Sequence, residues 1–578
     1  MGFITPCSIY WKLFIIFVDG FSSESTNQYY KLYKMKTRNI FFAIVALLFM
    51  STTPAFAAKK SITGTVTCDG KGVAGVVVTD GINMTKTNEE GVYALPTKVK
   101  DPHCQFVHIS IPSGYEVERI GNAPQFFRRI DPKAKKQSFD FKLTKVDQSV
   151  YTVLALGDPH LTDVYAKRAD HRGTAKYKEV VVPAIQEYAS QFNHPVYMVT
   201  LGDMTQTGTR PGWKGRAAGY SFKDYLEDTK VDIPVFNTMG NHDHNHAPKG
   251  EVFNDETVYL SRVDYNREAG PEYYSFNIGR EHYVVFDNTF VITKDAGPTT
   301  DPNATKGYWY KLDKYQHNWL AQDMAAVNKE DIDRVVIVAH CGLFGYSGKK
   351  MQMDLEQVLD NFEGYEILAL IGHHHSDHSI KKTWNGKPLY QFYHTSGAGT
   401  AWYTYDNCEG TPASIVDYTF KNGKFTRTCV PYGTNKGQKY RVYDNRNHKW
   451  TYPITERTGT KQKRATEEAE IKPEDKPAIL VNIWSAYSCK FIESTGGKGK
   501  VVKRCYDLTF RDWYWDAYAK SEAGELPEGQ RLYKAGWQSP KRSYHIWRYI
   551  PADADATIKV VAKDALGNVI AEFEAHAK

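Results

Sequence analysis

The sequence lacks long hydrophobic runs, internal repeats and a P-loop, and its charge is nearly balanced. The formal net charge of +7 is modest for 578 residues and is spread along the chain. Nucleic-acid-binding proteins concentrate basic residues on one face, so we predict no nucleic-acid partner. The apolar run Ile40–Met50 is shorter than the roughly 20 residues that a bilayer requires, so we predict no transmembrane segment. The length exceeds what one hydrophobic core supports and predicts several domains, and no pattern indicates an oligomeric state.

The same apolar run belongs to a predicted export signal. Lys36 and Arg38 precede it, and Ala55-Phe56-Ala57 follows it as a small-residue cleavage pattern. This order is typical of a secretory signal peptide, which we assign to residues 35–57. We interpret residues 1–34 as a start-site artefact, and we expect an exported protein, periplasmic or extracellular.

Cysteine is scarce, with eight residues in the chain, and Cys7 lies in the segment interpreted as an artefact. Six others group locally as Cys68 with Cys104, Cys408 with Cys429, and Cys489 with Cys505. Export favours disulfides between such neighbours, and buried free thiols are the alternative. A glycine-rich turn at residues 495–499 predicts that Cys489 and Cys505 lie on facing strands of a hairpin. Cys341, next to His340, is interpreted as a small packing residue.

Five short segments each end an apolar run with residue types that bind metals. They are Gly157-Asp158-Pro159-His160, Gly202-Asp203, Gly240-Asn241-His242-Asp243, Ala339-His340 and Gly372-His373-His374-His375. The runs that precede them are Val153–Leu156, Val196–Leu201, Val235–Thr238, Val335–Val338 and Ile367–Ile371. Short runs of this kind, separated by helical patterns, predict a parallel sheet buried on both faces. Such sheets bind ligands at the carboxyl ends of their strands, so the five segments should converge.

The residue types indicate which ions the site would hold. Asp, His and Asn side chains without cysteine suit Mn, Fe, Zn or Ni, whereas Ca and Mg prefer oxygen ligands. The set predicts a site for two divalent metal ions of uncertain identity.

The five segments resemble the motif series of the calcineurin-like metallophosphoesterase superfamily, D-x-H, G-D, G-N-H-[DE], H and G-H-x-H. Every position matches, across roughly residues 150 to 400. The resemblance implies an α/β core, a β-sheet sandwich flanked by helices. It also implies the metal ligands, which are Asp158, His160 and His375 for one ion, Asn241, His340 and His373 for the other, and Asp203 as the bridge.

The resemblance further implies the chemistry. Two cations about 3.5 to 4 Å apart would share a hydroxide and clamp the oxygens of a phosphate ester, either a mono- or a diester. His242 would donate a proton to the leaving oxygen, and Asp243 would fix the ring tautomer of His242. The segment after Asp203 lacks the Asp-Arg-Gly continuation of Ser/Thr protein phosphatases, which disfavours that branch.

Several residues near the motifs leave alternatives open. A loop within residues 205–216 carries Arg210, Lys214 and Arg216, which would either hold a phosphate or face solvent. Residues 395–403 would either line the pocket, with Trp402 or Tyr403 stacking on a ring, or belong to the core. The other histidines are interpreted as structural (His171, His194, His282, His317), as pointing away from the ligands (His374), or as polar loop residues or lining of the site's mouth (His244, His246, His378).

Strand patterns return on both sides of the predicted phosphoesterase domain, residues 150–403. Residues 60–146 predict an N-terminal β-sandwich that resembles carboxypeptidase-regulatory-like domains, which also precede the phosphoesterase domain of bacterial exported relatives. Residues 405–578 predict a C-terminal mainly-β domain, with the charged run 461–476 as a solvated loop. The predicted function is an exported phosphoesterase. The alternative is a surface- or carbohydrate-binding protein with a secondary phosphoesterase domain, as the flanking β domains and tryptophans suggest.

Overall fold

The computed structural model describes residues 61–161, 173–206, 221–248, 250–293, 307–399, 406–407, 409–444, 477–502 and 543–577, and the backbone of residues 450–458 and 461–469. The predicted signal peptide and the segment before it lie outside these residues. So do Arg210, Lys214 and Arg216, the pair Trp402 and Tyr403, and the cysteines Cys408 and Cys505.

The first described part is the predicted β-sandwich. Its strands are β1 (Ile62–Cys68), β2 (Lys71–Gly72), β3 (Val77–Thr79), β4 (Met84–Lys86), β5 (Val92–Leu95), β6 (Phe106–Ile109), β7 (Tyr115–Val117), β8 (Arg119–Ile120), β9 (Ala123–Pro124), β10 (Phe127–Arg129), β11 (Gln137–Ser138) and β12 (Phe141–Lys145). One sheet is built around β1, and the other has the order β10-β6-β3-β4. Alternate residues of β1, including Ile62 and Val66, are buried, because successive side chains of a strand point to opposite faces.

Two mixed sheets form the central part. Its strands are β13 (Val150–Leu156), β14 (Val196–Thr200), β15 (Val235–Phe236), β16 (Tyr274–Ile278), β17 (Glu281–Val285), β18 (Thr289–Val291), β19 (Tyr308–Tyr310), β20 (Arg334–Ala339), β21 (Glu366–Ile371), β22 (His378–Trp384), β23 (Lys387–Tyr393), β24 (Ser414–Lys421) and β25 (Lys424–Pro431). The sheets have the orders β15-β14-β13-β24-β25 and β16-β17-β20-β21-β23-β22, and β18 pairs with β19. The α/β sandwich implied by the family resemblance is therefore confirmed.

The prediction of one parallel sheet is wrong, because the five motif strands divide between the two sheets. β13, β14 and β15 are parallel neighbours in the first sheet, and β20 and β21 are parallel neighbours in the second. Val153 and Val338 share a core between the sheets, whereas Leu154 and Ile337 pack outward beneath helices. Both faces of each strand are buried, so the runs are apolar throughout whichever sheet they join.

Short helices cover the outer faces of the sheets. They are α1 (Gly173–Lys176), α2 (Val182–Ala189), α3 (Phe222–Asp228), α4 (Val263–Glu268), α5 (Lys314–Ala326) and α6 (Leu355–Leu359), with π or 3₁₀ turns at Tyr177–Val181, Val258–Arg262, Asp360–Phe362 and Gly433–Asn435. Asp313 caps α5 by accepting from the backbone N–H groups of Tyr315 and Gln316. Among the described residues, no helix is long and apolar enough to cross a lipid bilayer.

The last part is built from strands, as predicted. They are β26 (Arg441–Asp444), β27 (Trp450–Thr458), β28 (Lys461–Ala469), β29 (Ile479–Asn482), β30 (Ser488–Glu493), β31 (Lys500–Val502), β32 (Ile546–Ile550), β33 (Thr557–Lys563) and β34 (Val569–His576). β27 and β28 form a hairpin, so the prediction of a loop is wrong for residues 461–469. A hairpin strand satisfies its backbone with its neighbour, whatever charges its side chains carry.

The predicted cysteine pairings fare differently. β30 pairs with β33 and β31 pairs with β32, so residues 488–493 and 500–502 do not face each other in the predicted hairpin, whereas Cys505 itself lies outside the described residues. Cys68, Cys104, Cys429 and Cys489 are free thiols in the described structure. The Cys68–Cys104 disulfide is therefore absent, and the alternative of buried free thiols holds for these two residues.

Candidate metal centre

The motif residues lie in turns directly after the carboxyl ends of their strands. Five of them have a left-handed backbone, namely Asp158 (φ 47°), His160 (φ 46°), Asp203 (φ 53°), His373 (φ 69°) and His375 (φ 51°). Residues other than glycine rarely adopt this conformation, and it clusters at functional sites, where the surrounding fold enforces it. The two sheets therefore hold these turns against local preference and direct their side chains into one space.

A first group of donors comes from the turns after β13 and β21. The Nε2 atoms of His160 and His375 lie 2.8 Å apart. Asp158 Oδ1 is 3.4 Å from His375 Nε2 and 4.0 Å from His160 Nε2. Asp158 is fully buried, and both of its oxygens accept a hydrogen bond from the backbone N–H of His373. These three donors form a cluster able to hold one metal ion.

A second group lies beside the first. His340 Nε2 is 3.2 Å from Asp203 Oδ2, 3.0 Å from Asn241 Oδ1 and 3.0 Å from His373 Nδ1. His340 Nδ1 donates to the carbonyl of Leu201, so Nε2 is the nitrogen that faces the cluster. Such a backbone partner is what orients a metal-binding histidine.

Asp203 connects the two groups. Its Oδ2 lies 3.6 Å from His160 Nε2 in addition to the contact with His340, so one carboxylate reaches donors of both clusters. Donors at about 2.1 Å from a tetrahedral ion would lie about 3.4 Å from each other, close to the measured separations. The donor set therefore fits two divalent ions, and it contains every residue that the family resemblance implies as a ligand.

The charges of this centre are strongly coupled. Burial raises the pKa of Asp158 to about 7, although nearby His340 opposes the shift. Burial acts on Asp203 in the same direction, but the neighbouring His340 and His242 hold its pKa well below the usual value. Burial lowers the pKa of His340, and Asp203 beside it outweighs that effect and raises the pKa to about 9. Ionisable groups whose pKa values are shifted in opposite directions are typical of functional sites.

His242 lies at the edge of the centre, between the clusters. Its backbone N–H donates to Asp203 Oδ1 (2.7 Å), and its ring packs edge-on against His160 with centroids 4.8 Å apart. Its Nδ1 lies 2.6 Å from the carbonyl oxygen of Gln206. A carbonyl only accepts, so Nδ1 carries the proton and Nε2 is the exchangeable position.

The predicted partner of His242 is wrong. The fully enclosed carboxylate of Asp243 accepts from the backbone N–H groups of Met204, Thr205 and Gly240, and from the Thr205 hydroxyl. Asp243 therefore ties the turn after Asp203 to the turn after Gly240, and Gln206 orients the His242 ring. Adjacent residues in a tight turn direct their side chains differently, and the motif alone does not reveal this.

Two tyrosines at the site were missed from the sequence. The Tyr310 hydroxyl lies 2.9 Å from His373 Nε2, and the Tyr308 hydroxyl lies 3.4 Å from the same atom. The alternating Tyr308-Trp309-Tyr310 pattern indicates two side chains on one face of a strand, but it gives no sign of what they face.

The remaining candidates are mostly structural. His374 stacks on Tyr393 at 4.5 Å, away from the clusters as predicted. His244 lies in a bend, as a loop residue would, but its ring is buried and bonded to Ser261 and Asp287, so it does not line the mouth of the site. His378 is buried in β22 against Tyr544, so its interpretation as a loop residue is wrong.

The segment after the last histidine motif is hydrogen-bonded to the backbone of the loop that carries Asp158. The Ser396 hydroxyl donates to the carbonyl of Asp158, and Gly397 N–H donates to the carbonyl of Gly157. Within the described residues, this segment is core and not a pocket wall. Cys341 is also core, since it is fully buried, and this burial raises its thiol pKa well above the usual range.

Two family models match the chain. One, described as the N terminal of calcineurin-like phosphoesterase, matches residues 60–146, and one described as calcineurin-like phosphoesterase matches residues 151–377. The sequence matches no curated protein.

The chain is also similar to several solved structures. A 5'-nucleotidase from Candida albicans is 12% identical, with 50% of this chain and 52% of that chain covered and a TM-score of 0.30. The Thermus thermophilus sulfate thiohydrolase SoxB is 13% identical, with 49% and 56% covered and a TM-score of 0.28. The Bacillus subtilis calcineurin-like phosphoesterase YfkN is 14% identical, with 49% and 91% covered and a TM-score of 0.23.

This chain spans about half the length of the nucleotidase and of SoxB. The family assignment rests on the two matching models, which together take in more than half of the sequence. The chain belongs to the calcineurin-like phosphoesterase family of metal-dependent phosphoric ester hydrolases.

Proposed function

We propose that this protein hydrolyses phosphate mono- or diesters with two divalent metal ions held by the predicted ligands. One ion would be held by Asp158, His160 and His375, and the other by Asn241, His340 and His373. The observation that carries the proposal is the position of Asp203, whose Oδ2 lies within 3.6 Å of donors in both groups. A carboxylate shared in this way is suited to bridging two cations.

When bound, two divalent ions would neutralise the phosphate oxygens and supply an activated water for in-line displacement. The chain's residues would fix the geometry of that reaction. Asp203 would hold the donor groups at a constant separation, and the backbone N–H of His373 would fix Asp158 by donating to both of its oxygens. The buried surroundings limit water around these charges and strengthen their interactions.

His242 would act on the leaving group. Its Nδ1 proton is held by the Gln206 carbonyl, so a second proton would enter and leave at Nε2. Donation from Nε2 to the departing oxygen would prevent a high-energy alkoxide from forming. Asp243 would be a positioning residue, because it ties the turn that precedes Gln206 to the turn that carries His242.

We also propose export, on the charged, apolar and small-residue order of residues 36–58. N-terminal sequencing of the protein from its native host tests this, with a start near Ala58 expected. A mature chain that retains residues 1–34 would contradict it.

The alternative, a surface- or carbohydrate-binding protein, gains no support from Trp484 and Trp547, the tryptophans of the C-terminal part whose side chains are described. Trp547 and Trp484 are buried in the C-terminal part, with 6% and 3% of their surface exposed. Side chains enclosed in this way are unable to stack on a sugar.

The test uses purified protein, chelated and then reloaded with Mn²⁺, Fe²⁺, Zn²⁺ or Ni²⁺, with aryl phosphate mono- and diesters as substrates. Hydrolysis should vanish on chelation and return with at least one of these ions, and the ratio of the two rates assigns the ester class. A rate that is equal before and after chelation would exclude the proposed metal centre.

A further inference from the structure

The tyrosines of the hairpin formed by β18 and β19, which we name the tyrosine hairpin (Thr289–Val291 and Tyr308–Tyr310), reach the second donor group. Tyr308 and Tyr310 lie on one face of β19, and Trp309 lies on the other, stacked on Phe290 with centroids 5.9 Å apart. Both phenol rings stand nearly perpendicular to the ring of His373, at 83° and 87°. The hairpin therefore presents its hydroxyls, and not its ring faces, to this histidine.

His373 has two nitrogens with different surroundings. Nδ1 lies 3.0 Å from His340 Nε2, inside the donor group, whereas Nε2 faces the Tyr310 hydroxyl at 2.9 Å. A nitrogen that holds a metal ion carries no proton, so the proton of the neutral ring must then be on Nε2. Nε2–H is placed to donate to the Tyr310 oxygen, and the Tyr308 oxygen lies 0.5 Å farther away.

The same hairpin is attached to the other histidine of this group. Asn288, the residue before β18, donates to the carbonyl of Cys341 (2.7 Å) and accepts from its backbone N–H (2.9 Å). Cys341 directly follows His340, so the hairpin fixes the backbone at His340 and the ring of His373. Tyr310 is 6% exposed, so water competes little for its hydroxyl.

We propose that Tyr310 is a positioning residue for the metal site of Asn241, His340 and His373, and that its hydroxyl fixes the tautomer in which His373 Nδ1 faces the ion. This inference rests on the proposed function, since it presumes that the site holds a metal. Partners of this kind typically change metal affinity by about 10- to 100-fold when they are removed. Asp158, His160 and His375 form a separate cluster of donors, so the first site should be little affected.

The test is Tyr310→Phe in the full chain, which keeps the ring and removes the hydroxyl. Mn²⁺ and Zn²⁺ binding is measured by chelator competition, with metal content per chain as a second readout and without any substrate. We expect wild type to bind two ions, and Tyr310→Phe to bind one ion normally and the other about 10- to 100-fold more weakly. Tyr365→Phe is the matched control, because Tyr365 is 5% exposed and precedes β21, at the end of that strand opposite His373, so the affinity for both ions should be unchanged.

Co²⁺ absorption provides a readout that a general loss of stability would not produce. Tyr310→Phe should alter the absorption spectrum of Co²⁺ at the site of Asn241, His340 and His373. The spectrum of Co²⁺ at the other site should be unchanged. Wild-type affinity for both ions in Tyr310→Phe would overturn the inference, as would equal weakening of both sites. A wild-type chain that binds no second ion would instead overturn the proposed function.

Discussion

The Nε2 atoms of His160 and His375 face each other at 2.8 Å, although they come from turns that are 215 residues apart in sequence. Burial lowers the pKa of His160 to about 3, so near neutral pH its ring is uncharged. The uncharged imidazole of His160 therefore offers a lone pair to a cation at the point that His375 Nε2 also faces. The centre is thus prepared for metal by the fold itself, and its separate parts can be tested by substitution.

Asp203→Asn should reduce metal content and turnover together. The amide keeps the shape of the side chain but lacks the negative charge that two cations would share. We expect less than two ions per chain by elemental analysis, with hydrolysis falling in proportion to the loss. Full metal content with normal turnover would show that Asp203 is no bridge.

His242→Ala should slow hydrolysis and leave metal content nearly unchanged. Loss of a general acid typically slows a reaction by about 10²- to 10⁴-fold, and the effect should shrink for aryl esters whose leaving group needs little protonation. His374→Ala is the matched control, because that ring packs on Tyr393, outside the donor groups. Equal slowing for good and poor leaving groups would indicate phosphate positioning instead of acid catalysis.

Arg427→Met should destabilise the contact between the central and C-terminal parts. Arg427 is buried and pairs with Asp377 at 2.7 Å, while the other oxygen of Asp377 accepts from the Ser485 backbone N–H. Removing one partner of a buried pair typically costs about 3–5 kcal/mol, because the other charge remains enclosed.

Thermal unfolding followed by circular dichroism measures the effect of Arg427→Met. Lys424→Met, at an exposed position of the same strand, is the control and should change stability by less than about 0.5 kcal/mol. Indistinguishable unfolding curves for the two variants would contradict the assigned role of the ion pair.

Glu409 should make stability fall as pH rises. Burial raises the pKa of Glu409 to about 8, against 4.5 for an ordinary glutamate. Between these values the folded chain retains a proton that the unfolded chain has released, so rising pH favours unfolding. The contribution is at most about 1.4 kcal/mol per pH unit.

Glu409→Gln removes this titration while the side-chain oxygen can still accept from Thr411 or Asp377 N–H. Thermal midpoints of the metal-free protein between pH 5 and 8 should decline less steeply in Glu409→Gln than in wild type. Parallel pH profiles would show that Glu409 does not carry the effect.

The convergence of the five motifs could be predicted from sequence because each follows a strand, and strand ends converge in α/β folds, whereas the assignment of the ligands depended on the family resemblance. The division into two sheets could not, since a strand buried on both faces has the same apolar pattern in either arrangement. Tyr308 and Tyr310 were missed for a different reason. Their contact with His373 joins residues more than 60 positions apart, and local periodicity contains no information about such contacts.

The partner of His242 was predicted wrongly because of the local geometry of its turn. Neighbouring residues in a turn diverge, so the carboxylate of Asp243 meets backbone N–H groups, while His242 meets Gln206. The incorrect prediction of a loop at residues 461–469 has a different cause. Polar composition indicates solvent exposure, but it does not distinguish a loop from a hairpin strand.

The left-handed backbone at five donor residues lowers the stability of the fold where the proposed metal centre lies. These residues are Asp158, His160, Asp203, His373 and His375. An L-residue in this region costs roughly 1–2 kcal/mol, and these five positions hold charged or polar side chains where glycine would relax the chain. Selection for stability alone would therefore favour glycine at these five positions. Their presence together in one chain implies that selection has acted on chemistry at this centre, at the expense of a more stable apoprotein.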